Sequence, residues 1–151
     1  MRRNDRELVT EDALALLDGA EYGILSTVSK DGAPYGVPLS FCVMDGSIYF
    51  HCALEGRKLE NLEHNRAVSF CVVGNTRVLP EKFGTLYESA VASGEAIEVF
   101  DEDKQRALEG LVRKYAADFI ESGAKYIDGL RHKTRVYRIV VSSVTGKARR
   151  A

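Results

Sequence analysis

Alternating apolar and polar positions divide this chain into short strands joined by tight turns, with helical stretches between some of them. Tyr22 to Val28 reads as a strand, broken by Ser29-Lys30-Asp31-Gly32, a hairpin turn whose glycine supplies positive φ. The return strand, Pro34 to Met44, contains Pro38. A proline cannot donate to a ladder, so that strand has an edge, a bulge or an interruption there. Asp45-Gly46 makes the next turn, and Ser47 to His51 is a third strand. Ala67 to Val73 is nearly continuous in apolar residues, the pattern of a strand buried on both faces. Tyr87 to Val99 is a long strand with small residues at Ala90, Ala92, Ser93, Gly94 and Ala96, where a backbone, a second subunit or a flat ligand can come close. Thr134 to Val141 closes the set, and Thr145-Gly146-Lys147 ends the ordered part.

Helical spacing occupies the gaps. Thr10-Glu11-Asp12 before Ala13-Leu14-Ala15-Leu16-Leu17 resembles an N-cap with an acidic first turn, and Gly19 stops it. A second helix runs from Arg57 to His64, with Leu59 and Leu62 facing inward. A third starts at Asp101-Glu102-Asp103 and runs to about Ala117, with Leu108, Leu111, Val112 and Tyr115 on one stripe. Asp118 to Lys133 reads as an irregular turn, and Gly74 to Gly84 as a polar connection containing Pro80. Strands joined by tight turns must pair antiparallel, which excludes a doubly wound parallel sheet. The pattern predicts a mainly β (α+β) fold: an antiparallel, closed or nearly closed barrel of six strands with peripheral helices.

Composition narrows the class. A chain of 151 residues, 45% hydrophobic and 28% charged, suits one soluble globular domain. A net charge of −1 offers no field to draw nucleic acid or an anionic membrane. The basic ends, Arg2-Arg3 and Lys147-Ala148-Arg149-Arg150, read as solvated tails. No run approaches the ~20 apolar residues of a membrane span, and the charged N-terminus lacks the apolar core of a signal peptide. Cys42, Cys52 and Cys71 are odd in number, without metal-ligand spacing, and read as buried reduced thiols of a cytoplasmic protein. Cys52, beside His51, is the one placed to react.

The chemistry concentrates in Ile48-Tyr49-Phe50-His51-Cys52-Ala53-Leu54-Glu55-Gly56-Arg57-Lys58. An apolar strand ends on a histidine, crosses a glycine-containing turn and enters a helix that opens with two cations. A helix start presents unpaired N–H groups and a positive dipole end, a natural seat for a phosphate. Arg57 can add a bidentate fork and Lys58 a point charge. Taken alone, the same residues also fit a solvated helix face and a packed histidine.

Ala33-Pro34-Tyr35-Gly36-Val37-Pro38-Leu39-Ser40-Phe41, then Ile48 to Ala53, then Gly56-Arg57-Lys58-Leu59, resemble the FMN-binding split barrels related to pyridoxamine-phosphate oxidase. The resemblance is closer to the nitroimidazole-resistance branch, which has a similar histidine, a similar block here formed by Tyr87, Ser89, Gly94 and Ala96, and a similar Thr145-Gly146-Lys147 ending. It covers about residues 8–148 of a single domain spanning 1–151. It implies a six-stranded split barrel and a cytoplasmic homodimer with FMN at the subunit interface. The backbone of Val37, Pro38, Leu39 and Ser40 would serve the flavin ring, Arg57 and Lys58 the phosphate, and Tyr87 and Ser89 would arrive from the other subunit. His51 would lie near the ring as the catalytic residue, with no metal involved. Where that branch commonly has Ser or Thr after the histidine, this chain has Cys52.

Two functions follow from the resemblance. One is an FMN-dependent oxidoreductase, a nitroreductase-like reductase of small organic acceptors with His51 as proton donor or orienting group. The other is a non-catalytic FMN-binding module for storage or sensing, or a split barrel holding another planar cofactor, a deazaflavin or a haem.

Overall fold

The computed structural model describes residues 4–150; the Arg2-Arg3 pair lies outside the described residues. The elements run β1 (Glu7–Leu8), α1 (Thr10–Gly19), β2 (Gly23–Val28), β3 (Pro34–Leu39), β4 (Cys42–Met44), β5 (Ser47–Cys52), α2 (Arg57–His64), β6 (Ala67–Val73), β7 (Arg77–Leu79), β8 (Gly84–Val99), α3 (Asp101–Tyr115), α4 (Ile120–Leu130) and β9 (Arg135–Arg149). All pairings are antiparallel, in the order β3-β2-β6-β8-β9-β5-β4, with β1 on β9 and β7 on β8.

The two ends of that order, β3 and β4, are consecutive in the chain and separated only by Ser40 and Phe41. Three peptide steps from Leu39 to Cys42 span no more than ~11 Å. The sheet must therefore curl until its edges meet at one corner without pairing, which makes it a split barrel. Inside lies one apolar cluster, including Leu25, Phe41, Ile48, Phe50, Phe70 and Ile139, each 0% exposed. Phe41 meets Phe70 edge-on at 4.8 Å between ring centroids, and Phe50 stacks on Tyr137 at 5.5 Å. A second cluster lies outside the barrel wall, where Leu108 and Leu111 of α3 and Ile127 of α4 cover Tyr49, Val99 and Val136.

Several expectations are corrected. The six strands are nine among the described residues. Pro34 to Met44 divides at Ser40-Phe41, the Gly74 to Gly84 connection contains β7 and a 3-10 turn at Pro80–Lys82, and β1 adds a short edge. Pro38 stays in register with Ile24, and its missing N–H falls on the unpaired side of an edge strand. The final strand continues past Val141 to Arg149 because a bulge, with Ser142 as the extra residue, restores its pairing to β8 at Ser93. Gly94 is required at that bulge, since any Cβ there would run into the Val140 carbonyl. The C-terminal basic run is thus strand rather than tail, and Arg150 pairs with Glu88 at 2.7 Å. Thr10 is the first helical residue, with Val9 at the cap position and no side-chain cap bond.

Of the small residues of β8, Gly94 admits a neighbouring backbone as expected, while the alanines are small for the barrel interior. Ala90 and Ala92 are 0% and Ala96 1% exposed inside the barrel, where Phe41, Phe50 and Phe70 occupy the space that larger side chains would need. Ser89, Val91, Ser93 and Glu95 point the other way.

Candidate functional site

Every feature of the Ile48 to Lys58 segment follows from strand parity. Ile48, Phe50 and Cys52 alternate into the barrel, so Tyr49 and His51 face outward. β5 ends at Cys52, and the chain then turns through Gly56, whose φ of 139° favours glycine, into α2. The N–H groups of Leu59 and Glu60 bond back to the Gly56 carbonyl at 2.9 and 3.2 Å. The N–H groups of Arg57 and Lys58 have no such acceptor, so two backbone donors and two cationic side chains share one helix start.

That start is fixed against β3. The Arg57 guanidinium lies over the Tyr35 ring, 4.7 Å from its centroid. Beneath it, Asn61 donates to the Thr27 hydroxyl at 2.9 Å, in a pair that is 4% and 1% exposed. The Thr27 hydroxyl in turn lies 3.5 Å from the Tyr35 carbonyl. This polar link sets the height of α2 on the β2–β3 hairpin. Neither Tyr35, Thr27 nor Asn61 was singled out from sequence, although an asparagine between Leu59 and Leu62 on the inward stripe of a helix is a usable signal.

Removing Asn61 tests that link. Asn61→Ala should destabilise the fold by ~1–3 kcal/mol, because the buried Thr27 hydroxyl loses its donor. The double variant Thr27→Val with Asn61→Leu should recover much of that loss, since both polar groups are gone. Urea unfolding of the three proteins gives the comparison, and equal losses in single and double variants would show the bond to be unimportant.

Along β3, Val37 and Leu39 lean into the barrel, while Gly36, Pro38 and Ser40 are exposed. One edge and one face of this strand are therefore backbone with little side-chain cover. The break after Ser40 is held by Tyr115 at the end of α3. Its hydroxyl accepts the Phe41 N–H at 3.1 Å and donates to the Glu21 carbonyl at 2.6 Å. The β4–β5 ladder ends at Cys42 opposite Tyr49. Carried two residues farther, its register would set Ser40 opposite His51.

Val37, Pro38, Leu39, Ser40, His51, Arg57 and Lys58 thus border the split in the barrel. Tyr87 and Ser89 do not. His51 pairs with Val136, which pairs with Val99, whereas Ser89 pairs with Lys147. Ten residues of β8 separate Ser89 from Val99, about 33 Å of strand.

His51 is solvent-exposed at the strand end, and partial desolvation, with the Lys58 ammonium next, pushes its imidazole below the ordinary pKa. The ring edges a pocket of about 150 Å³ between β5, α3 and α4. α4 replaces the irregular turn expected over Asp118 to Lys133. A Cβ at Gly123 would sit 2.5 Å from a Val112 methyl, so this glycine allows α4 close to α3. Burial raises the Cys52 pKa, with Lys58 and Arg135 offsetting it only partly, so the thiol stays protonated. Cys42 is buried as expected, with its thiol pushed up to about 11 by desolvation, while Cys71 is only half-buried. Among the described residues no cluster could hold a metal ion, and no helix is long and apolar enough to cross a membrane.

Comparison with known proteins places this geometry. A family model described as pyridoxamine 5'-phosphate oxidase matches residues 10–148. A structure from Bacteroides thetaiotaomicron, provisionally described as a 5-nitroimidazole antibiotic resistance protein, superposes with a TM-score of 0.76 at 22% identity, over 93% of this chain and 85% of its own. An FAD-binding protein from Mesorhizobium loti gives 0.69 at 25% identity, over 96% and 98%. An FAD and haem binding protein from Mycobacterium smegmatis gives 0.81 at 16%, over 97% and 74%. No curated protein matches the chain.

Proposed function

The chain belongs to the pyridoxamine 5'-phosphate oxidase family, and from that premise we propose that it is an FMN-dependent oxidoreductase acting on small organic acceptors such as nitro compounds. The observation that carries the reading is the anion seat at Gly56-Arg57-Lys58, pinned by Arg57 on Tyr35 to the bare edge of β3. A flavin mononucleotide needs both parts: a place for a phosphate and a flat, hydrogen-bonding edge for its ring.

Residues present in the chain fit that group. Arg57, Lys58 and their free N–H groups would hold the phosphate. The unpaired backbone of Val37 to Ser40 would orient the ring, and exposed Gly36 and Pro38 put no large side chain in its way. When bound, the flavin supplies two-electron transfer, and the protein supplies position and electrostatics. His51, outside the barrel at the same split, holds or delivers a proton at its imidazole nitrogen. Tyr87 and Ser89 belong to a site of this kind only if a second copy brings them, so the reading includes a homodimer.

Three measurements test the reading. The absorbance spectrum of the purified protein, with the mass of the released chromophore, separates FMN from FAD, deazaflavin and haem. Steady NAD(P)H oxidation with a nitro acceptor separates turnover from storage or sensing. Co-expressing Arg57→Ala/Lys58→Ala chains with Tyr87→Ala/Ser89→Ala chains tests the shared site. An isologous mixed dimer has one intact site and one doubly damaged site, so about a quarter of all sites should regain flavin. Full flavin in the Tyr87→Ala/Ser89→Ala chains alone would place both residues outside the site, and no regain on mixing would overturn its sharing by two subunits.

A further inference from the structure

We propose that the pocket beside His51 is an acceptor subsite for a single-ring aromatic anion, with Arg131 as its counter-charge. The pocket measures about 150 Å³ and is bounded by β5, α3 and α4. Its floor is apolar: Leu108, Leu111 and Ile127 are 8%, 7% and 5% exposed, and Leu130 adds to the wall. A pocket of about 150 Å³ has room for one benzene-sized ring.

The polar side of the pocket is one-signed. Arg131 and His51 line it, and no lining residue is acidic. Arg131 is half-buried, in the turn that follows α4, and makes no ion pair or side-chain hydrogen bond among the described residues. Asp128, one turn back on α4, leaves it unpaired. Lys58, whose charge reaches His51, adds to the same field. A guanidinium over an apolar floor, with no carboxylate of its own, is a receptor for an anion attached to a hydrophobic body, and a carboxylate suits its fork best. Held this way, the ring shares the pocket with His51.

Here the proposed function is deepened by naming an acceptor class, and only the turnover arm of the test depends on it. Benzoate, which cannot be reduced as a nitro compound can, is the binding probe, measured by calorimetry on the protein as it purifies with its cofactor. Benzoate should bind saturably, and benzyl alcohol, lacking the charge, at least ten-fold more weakly. Arg131→Gln should weaken benzoate by about ten- to a hundred-fold, the loss of one charge-assisted contact, with cofactor content unchanged. Ile127→Phe should fill the pocket and abolish binding. In turnover, the preference for 4-nitrobenzoate over nitrobenzene should collapse in Arg131→Gln through KM. Absent benzoate binding, or binding unmoved by Arg131→Gln, overturns the subsite. Arginine-dependent benzoate binding without turnover keeps the subsite and sinks the reductase reading.

Discussion

Arg57→Ala with Lys58→Ala should yield a folded protein that purifies almost free of flavin. Both side chains sit on the first turn of α2, Arg57 exposed and Lys58 half-buried, and neither belongs to an apolar core cluster. Two charge-assisted contacts to a phosphate are lost, each worth about 1.5–3 kcal/mol, or two to four decades of affinity together. Arg57 carries an extra share because its guanidinium also stacks on Tyr35 and so couples the phosphate seat to β3. Arg57→Lys should therefore recover charge without recovering affinity fully. The folding cost should be small, since the Asn61–Thr27 bond holds α2 without either cation. Flavin titration and a melting curve on the same preparation check both halves. Full flavin content in the double variant would move the phosphate elsewhere.

How far the sequence reached is decided by the range of each interaction. Strand parity and tight turns are local, so β2, β5 and β6 were legible from their apolar runs and from Asp45-Gly46, although β6, expected to be buried on both faces, alternates instead and leaves Val73 54% exposed. The helix start at Gly56-Arg57-Lys58 was legible for the same reason. What escaped depended on contacts between distant segments. The alanines of β8 read as a place where a backbone, a second subunit or a flat ligand comes close, but they lie in the core cluster with Phe41 and Phe70, which no local pattern connects to them. α4 was hidden because Gly123 and Gly129 lower helix propensity, and the compensating term, close packing on Val112, is tertiary. Tyr115, which holds the break at Phe41 from 74 positions away, carried no sequence signal beyond its place on an apolar stripe. The family resemblance supplied the pairing of β3 with the phosphate seat, which periodicity alone would not have joined.

His51→Ala should lower turnover with a suitable acceptor by two to four decades while leaving flavin bound. The imidazole stands at the split of the barrel, on a different element from the cations of α2, so the phosphate contacts survive its loss. Its pH behaviour separates the two roles it could have. Partial desolvation first, and Lys58 second, depress its pKa below the ordinary ~6.5. The folded state therefore binds fewer protons than the unfolded state between that lowered value and ~6.5. Stability contributed by the neutral ring is present above ~6.5 and is lost as pH falls through the lowered pKa. The wild type should lose more melting temperature than His51→Ala between about pH 7.5 and 5. A proton donor must be charged, so turnover should rise as pH falls toward the same lowered value, and His51→Gln should flatten that profile and keep the low rate. An orienting group needs only a hydrogen bond, so His51→Gln would then restore most of the rate at every pH. Unchanged turnover per bound flavin in His51→Ala would remove the histidine from the chemistry and leave it as the polar wall of the pocket beneath α4.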